Sequence, residues 1–175
     1  MDYLLIPQVT SIGKQIKEVR KIKILSIDQS TKRSGWCLTN NNKYHSSGVL
    51  SVEDLADTIE RMKLMYDEIK QLIKRVKPNC VLIEDVQFQR NYSTFRTLSQ
   101  LQGLIMAYLF DLDLPFYIIP STAWKSCCHI KGAKRQEQKK NTQKYVKDTY
   151  KLDVSEDEAD AIGMATYGII NITRN

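Results

Sequence analysis

Two mostly apolar runs in this sequence each end on a carboxylate: Ile22 to Asp28 reads IKILSID, and Cys80 to Glu84 reads CVLIE. Runs of that length and content suit strands covered on both faces. A long stretch of helical periodicity separates them, and a strand–helix–strand unit places its two strands parallel in one sheet. Asp28 and Glu84 then stand at the same carboxyl-terminal edge, where open α/β sheets bind ligands. Two carboxylates brought together half-buried repel each other, and a proton, an arginine or a cation must offset the cost. Either acid alone reads equally well as a strand end facing water; the pair is what points to chemistry.

A second acidic group follows Ser155. Ser155-Glu156-Asp157-Glu158 has the form of a capping box, with Ser155 as N-cap and Glu158 returning to its backbone N–H. Glu156 then reads as a solvated first-turn acid, and the helix dipole also accounts for Asp157. Asp160 lies past the first turn, three residues after Asp157 and on nearly the same face. Its small neighbours Ala159, Ala161, Gly163 and Ala165 let the helix lie close to the sheet, so that Asp28, Glu84, Asp157 and Asp160 converge. Four hard oxygen donors without a histidine-rich pattern suit Mg²⁺, with Mn²⁺ as a substitute, rather than zinc. Two such ions about 4 Å apart make a clamp for in-line displacement at phosphorus.

The charge pattern supplies a complement. The net charge is +6, but between Ser121 and Lys151 nine Lys or Arg face only Glu137 and Asp148. Such a segment suits phosphate contacts with a nucleic acid; a solvated lysine face is the plain alternative. The chain has 175 residues, 42% apolar and 26% charged, which fits one globular domain and excludes a disordered or fibrous one. Its longest apolar stretch, Leu104 to Phe110, is too short for a membrane span. No secretory signal is legible at the start, so Cys37, Cys80, Cys127 and Cys128 read as reduced thiols of a cytoplasmic protein in a bacterial cell. Cys127-Cys128-His129 has poor geometry for a tetrahedral zinc site. His45 reads as a strand residue, and Trp36 and Trp124 as core or near-core aromatics.

The elements that must position these groups are legible in outline. After Ile22–Asp28 come a polar turn and two short strands, Trp36 to Thr39 and Tyr44 to Val49, joined by Asn40-Asn41-Asn42-Lys43. Ser51 with Asp54 reads as the cap of a long helix whose apolar positions run from Leu55 to Val76, stopped at Pro78. Further helices are expected over about Thr94–Phe110, after Pro120, over Arg135–Lys151 and after Ser155, with a strand at Phe116–Ile119. The pattern is a layered α/β domain over 22–175, carrying an extension at 1–21 whose net charge is positive.

Ile24 to Thr31 with Ser34-Gly35-Trp36 resembles the opening motif of RuvC-type Holliday junction resolvases, members of the RNase H-like nuclease superfamily. Val81 to Glu84 is similar to the second acidic motif of that family, Phe116 to Lys125 to its strand and turn before a basic residue, and Asp157 to Ala161 to its closing acidic helix. The resemblance covers Ile22 to Gly168. It implies a three-layer fold, with a mixed five-stranded sheet of three antiparallel and then parallel strands between helices. It implies metal-binding catalysis by Asp28, Glu84, Asp157 and Asp160, with two Mg²⁺ per site, on branched DNA and above all four-way junctions. Lys125 matches one basic site residue. Lys140 is the choice for the other by its spacing to Leu152, with Lys139 as the competitor. Phe88 or Tyr92 stands where the family probes the junction centre, packing being the plain alternative for Phe88. Lys131, Lys134, Arg135, Lys139 and Lys144 are the expected DNA contacts. The helix from Ser93 to Tyr108 resembles the one that carries the homodimer contact. Asp85, where a neutral residue is usual, is expected on the opposite face. The divergences suggest a phage-encoded member. Forks, flaps or structured RNA are alternative substrates; an ATP-binding fold of the actin and sugar-kinase type and a non-catalytic DNA-binding module are the remaining readings.

Overall fold

The computed structural model describes residues 22–52, 57–88 and 91–172. The expected extension at 1–21 lies outside the described residues, as do Asp54 and Leu55. The elements are β1 (Lys23–Asp28), β2 (Arg33–Asn40), β3 (Lys43–Ser51), α1 (Thr58–Val76), β4 (Cys80–Glu84), α2 (Tyr92–Asp111), β5 (Phe116–Ile119), α3 (Ser121–Cys127), α4 (Arg135–Tyr150) and α5 (Glu156–Asn171).

One sheet, in the order β3-β2-β1-β4-β5, forms the middle layer. β1 pairs antiparallel with β2 and parallel with β4, and β5 adds parallel to β4. The parallel pairing of β1 with β4 runs through Ile27↔Ile83, which leaves Asp28 and Glu84 as neighbours at the carboxyl edge. Alternation along the strands divides the core. Leu25, Ile27, Val81 and Ile83 join Met65, Ile69, Leu101 and Ile105 from α1 and α2 on one face. Ile24, Cys80 and Leu82 face the other way, against Trp124 of α3 and Met164 of α5. α4 packs outside α5 through Val146 and a third cluster that includes Ala161 and Ile162. Asp28 and Glu84 have the parity of Ile24 and Leu82, so they face the layer that carries α3 and α5.

The small residues of α5 allow the approach their size suggests. A Cβ on Gly168 would lie 2.7 Å from Leu82 Cδ1, and one on Gly163 2.7 Å from the Trp124 ring. Ser26 Oγ donates to Ala161 O at 2.7 Å, tying α5 to the central strand.

Two local expectations are corrected. Ser51 ends β3, paired with Arg33, and does not cap α1. The cap is Asp57, whose Oδ1 accepts from the N–H groups of Ile59 and Glu60 at 2.7 and 2.9 Å. Ser155 does cap α5, accepting from Glu158 N at 3.3 Å. The Glu158 carboxylate, however, accepts from Ser47 Oγ at 2.6 Å, which anchors α5 to β3. Among the described residues no helix is long and apolar enough to cross a membrane.

Candidate active site

Three separate stretches of sequence, β1, β4 and α5, deliver the four acids to one place. Asp28 and Glu84 arrive at the ends of β1 and β4. Opposite Asp28 in the β1–β2 ladder is Gly35, and a Cβ there would lie 1.8 Å from the carbonyl oxygen of Asp157. Only glycine admits the first turn of α5 so close to β2, and that approach puts Asp157 and Asp160 beside Asp28. All four acids line one cleft of about 1440 Å³.

Their electrostatics record the crowding. The Asp28 carboxyl is held well above the ordinary carboxylate range, first by burial, then by the charges of Glu84 and Asp160, a hydrogen bond to Glu84 and the charge of Asp157. Asp160 is pushed up to about 6 by burial and Glu84, against the opposing pull of Lys125 and Lys139. Asp160 Oδ1 is buried without a hydrogen-bond partner among the described residues. A buried carboxylate oxygen without a donor is costly, and a bound cation removes the cost.

The chain supplies internal partners to the other acids. Arg33 Nε donates to Asp157 Oδ2 at 3.1 Å. The indole N–H of Trp124 donates to Glu84 Oε1 at 2.9 Å. Gln29 and Gln102 both donate to the Glu84 carbonyl, at 2.6 and 2.8 Å. Among the described residues, no three acidic, imidazole or thiol side chains form a group able to hold one metal ion in this arrangement. The acids are therefore gathered around the cleft, as expected, but do not form a closed cage. The donor set still fits a hard divalent cation in kind: carboxylate oxygens, one of them orphaned and buried.

The basic residues sort themselves by position. Lys125, Lys131, Arg135 and Lys139 line the cleft, and Lys134, Lys140 and Lys144 do not. Lys140, chosen from spacing, is exposed on the outer side of α4. Lys139 instead turns inward, its Nζ 2.7 Å from Glu156 Oε2. Burial works to lower the Lys139 ammonium's pKa, but the hydrogen bond to Glu156 and the charges of Glu156, Asp160 and Asp157 outweigh it and leave the group above its ordinary value. Lys144 is exposed and paired with Asp148 at 2.6 Å. Lys125 Nζ lies 5.2 Å from the Trp124 ring centroid.

Phe88 is 64% exposed and meets Phe95, a cleft residue, edge to face at 5.5 Å, so core packing does not account for it. Tyr92 is 66% exposed. Asp85, expected on the opposite face, also lines the cleft; its backbone N–H donates to Ile119 O at 2.9 Å as the chain leaves β4. Cys128 is buried, with its thiol pushed up to about 11 mainly by that burial.

The site residues that sequence reasoning missed are Arg33, Gln29, Gln102 and Trp124 in its polar role. Trp124 carried a signal: a buried tryptophan N–H finds an acceptor, and Glu84 stood at the end of the neighbouring strand.

Comparison with known proteins gives the family and the fold. The family described as "Crossover junction endodeoxyribonuclease RuvC" matches residues 24–167. A protein of that name from Hydrogenovibrio crunogenus is 30% identical over 149 residues, covering 82% of this chain and 84% of its own. Another, from Roseiflexus sp., is 27% identical over 151 residues, covering 82% and 88%. The structure of T. thermophilus RuvC in complex with Holliday junction substrate matches with a TM-score of 0.70 at 14% identity, over 88% of this chain and 97% of that one. The Fowlpox virus resolvase in complex with Holliday junction DNA gives 0.58 at 13% identity, over 86% and 99%. These structural likenesses establish the RNase H-like α/β fold. The match runs from the strand that ends on Asp28 into the helix that carries Asp160, and it places this chain in the RuvC family of crossover junction endodeoxyribonucleases.

Proposed function

We propose that this chain is a divalent-cation-dependent endonuclease that resolves four-way DNA junctions, hydrolysing one phosphodiester at each of two equivalent sites in a homodimer. The observation that carries this is the assembly of Asp28, Glu84, Asp157 and Asp160 in one cleft beside Lys125 and Lys139. Those four acids are the residues to hold Mg²⁺ or Mn²⁺, two ions per site, and such ions would supply charge neutralisation and an activated water at the phosphate. Lys125 and Lys139 hold the scissile phosphate and offset the charge that grows on it. Lys131 and Arg135, farther along the cleft, take adjacent backbone phosphates and fix the register of the strand. Phe88, exposed beside the cleft residue Phe95, is placed to stack on an unpaired base at the junction centre. Two equivalent sites match the two-fold symmetry of the substrate. The family resemblance implies 5′-phosphate and 3′-hydroxyl products.

The test is cleavage of labelled four-way, three-way and linear duplex DNA with and without Mg²⁺. The four-way junction should be cut only with the ion. Asp28→Asn should abolish cutting while junction binding survives, and equal loss of both would tell against a catalytic Asp28. Lys139→Ala should slow cutting by roughly 10²-fold, the scale of losing one charge-stabilising donor, while Lys140→Ala stays near wild type.

A further inference from the structure

We infer that Trp124 is a positioning residue for Glu84: its indole N–H fixes one carboxylate oxygen, so that the other is presented to the cation site. This inference rests on the nuclease reading above and deepens it. Trp124 is fully buried, yet it spends its only polar atom on Glu84 Oε1 at 2.9 Å. The ring itself is clamped. Gly163 of α5 lies against one edge, where any side chain would collide with Cζ3 at 2.7 Å, and the Lys125 ammonium stands 5.2 Å from the centroid. An indole so confined aims its N–H along one direction.

Glu84 is held from its backbone as well, because Gln29 and Gln102 both donate to its carbonyl. A glutamate side chain has three torsions, and fixing its backbone leaves those torsions free; the indole hydrogen bond removes that freedom. Trp124 also contacts the helix that carries Asp160 and precedes Lys125 in sequence. One rigid ring therefore sets the spacing between the β4 acid, the α5 acids and the adjacent lysine. Groups that orient a metal ligand from behind commonly affect ion affinity or activity by 10- to 100-fold.

The purely structural alternative is that Glu84 merely satisfies a buried indole, which predicts a change in stability and none in the response to the ion. Two variants separate these accounts. Trp124→Phe keeps an aromatic ring and removes the donor. Replacement of Trp124 by 3-benzothienylalanine, in which sulfur stands in for the N–H, preserves the ring outline and serves if Trp124→Phe folds poorly. Either variant should raise the half-saturating Mg²⁺ concentration for junction cutting by 10- to 100-fold, with KM for the junction unchanged.

A binding readout independent of catalysis uses the indole itself. In a Trp36→Phe background, Trp124 emission should change as Mg²⁺ is titrated, with the midpoint of the cleavage dependence, and Glu84→Gln should abolish the change. An unaltered Mg²⁺ dependence in the isosteric variant, or emission indifferent to the ion, overturns the positioning role while leaving the nuclease reading intact. If the wild-type protein cuts no junction, the nuclease reading fails first, and the fluorescence titration still reports whether Trp124 senses an ion at Glu84.

Discussion

Asp160 shows how the energy of this site is distributed. Its carboxyl is pushed up to about 6 in the folded protein, chiefly by burial and then by Glu84, against about 4 in an unfolded chain. The folded state therefore binds this proton more tightly than the unfolded state. Stability contributed by the neutral form is present below pH 4 and lost as the pH rises through about 6. A shift of that size corresponds to about 3 kcal/mol at most, and Asp28 adds in the same direction. In the absence of divalent ions, Asp160→Asn should melt several degrees above wild type at pH 7.5, with the difference vanishing near pH 4. Thermal melts in a chelator across that range check it, and a lower melting temperature for the variant at pH 7.5 would refute the repulsion argument. The acids themselves were legible in the sequence because each ends a strand or follows a cap. Their partners Arg33, Gln29 and Gln102 were not, since nothing in a local pattern reveals which surface-type side chain folds back onto a strand end.

Among the elements, α4 and α5 decide what the site contains. Lys139 points inward because it shares the face of Thr142 and Val146, the two residues α4 buries. Lys140 is rotated by about 100° from that face, toward solvent. The phase of the buried positions was available in the sequence; spacing measured to Leu152 was the weaker guide. The start of α1 was misread for a related reason. Ser51 and Asp57 are both cap-type residues, and only the pairing of β3 with β2 as far as Ser51 selects the second. α5 reaches the sheet through Gly35, where an added methyl would collide with backbone rather than with a yielding side chain. Gly35→Ala should cost about 3 kcal/mol, at the upper end of overpacking effects, and lower the melting temperature by roughly 10 °C. It should also depress cleavage in the folded fraction by displacing Asp157 and Asp160. A variant that melts and cuts like wild type would show that α5 docks without that close approach.

At the scale of the molecule, the three-layer arrangement follows from apolar strands covered on both faces, which the sequence displayed plainly, and from two parallel crossovers, β1–α1–β4 and β4–α2–β5. What it did not display is how far each layer is covered. The α1–α2 layer keeps Leu104 at 38% exposure, and beside it a Cβ on Gly103 would meet nothing within 4 Å. This partly apolar stretch of α2 lies where the family resemblance places the contact between two copies. If the proposed homodimer forms through this contact, Leu104→Glu should sediment as a monomer where the wild type sediments as a dimer. On a supercoiled cruciform it should nick one strand instead of making the paired cuts that linearise the plasmid. A dimeric variant with intact paired cutting would move the contact elsewhere.

The close approach at Gly35 has one more consequence. The hydrogen bond from Ser26 to Ala161 and the pair Arg33–Asp157 span 135 and 124 positions of chain. During synthesis, the ribosome releases Asp28 and Glu84 long before the helix that carries the last two acids. On the proposed nuclease reading, a nascent chain lacks two of its four acids until α5 docks, and it gains the means to cut only then.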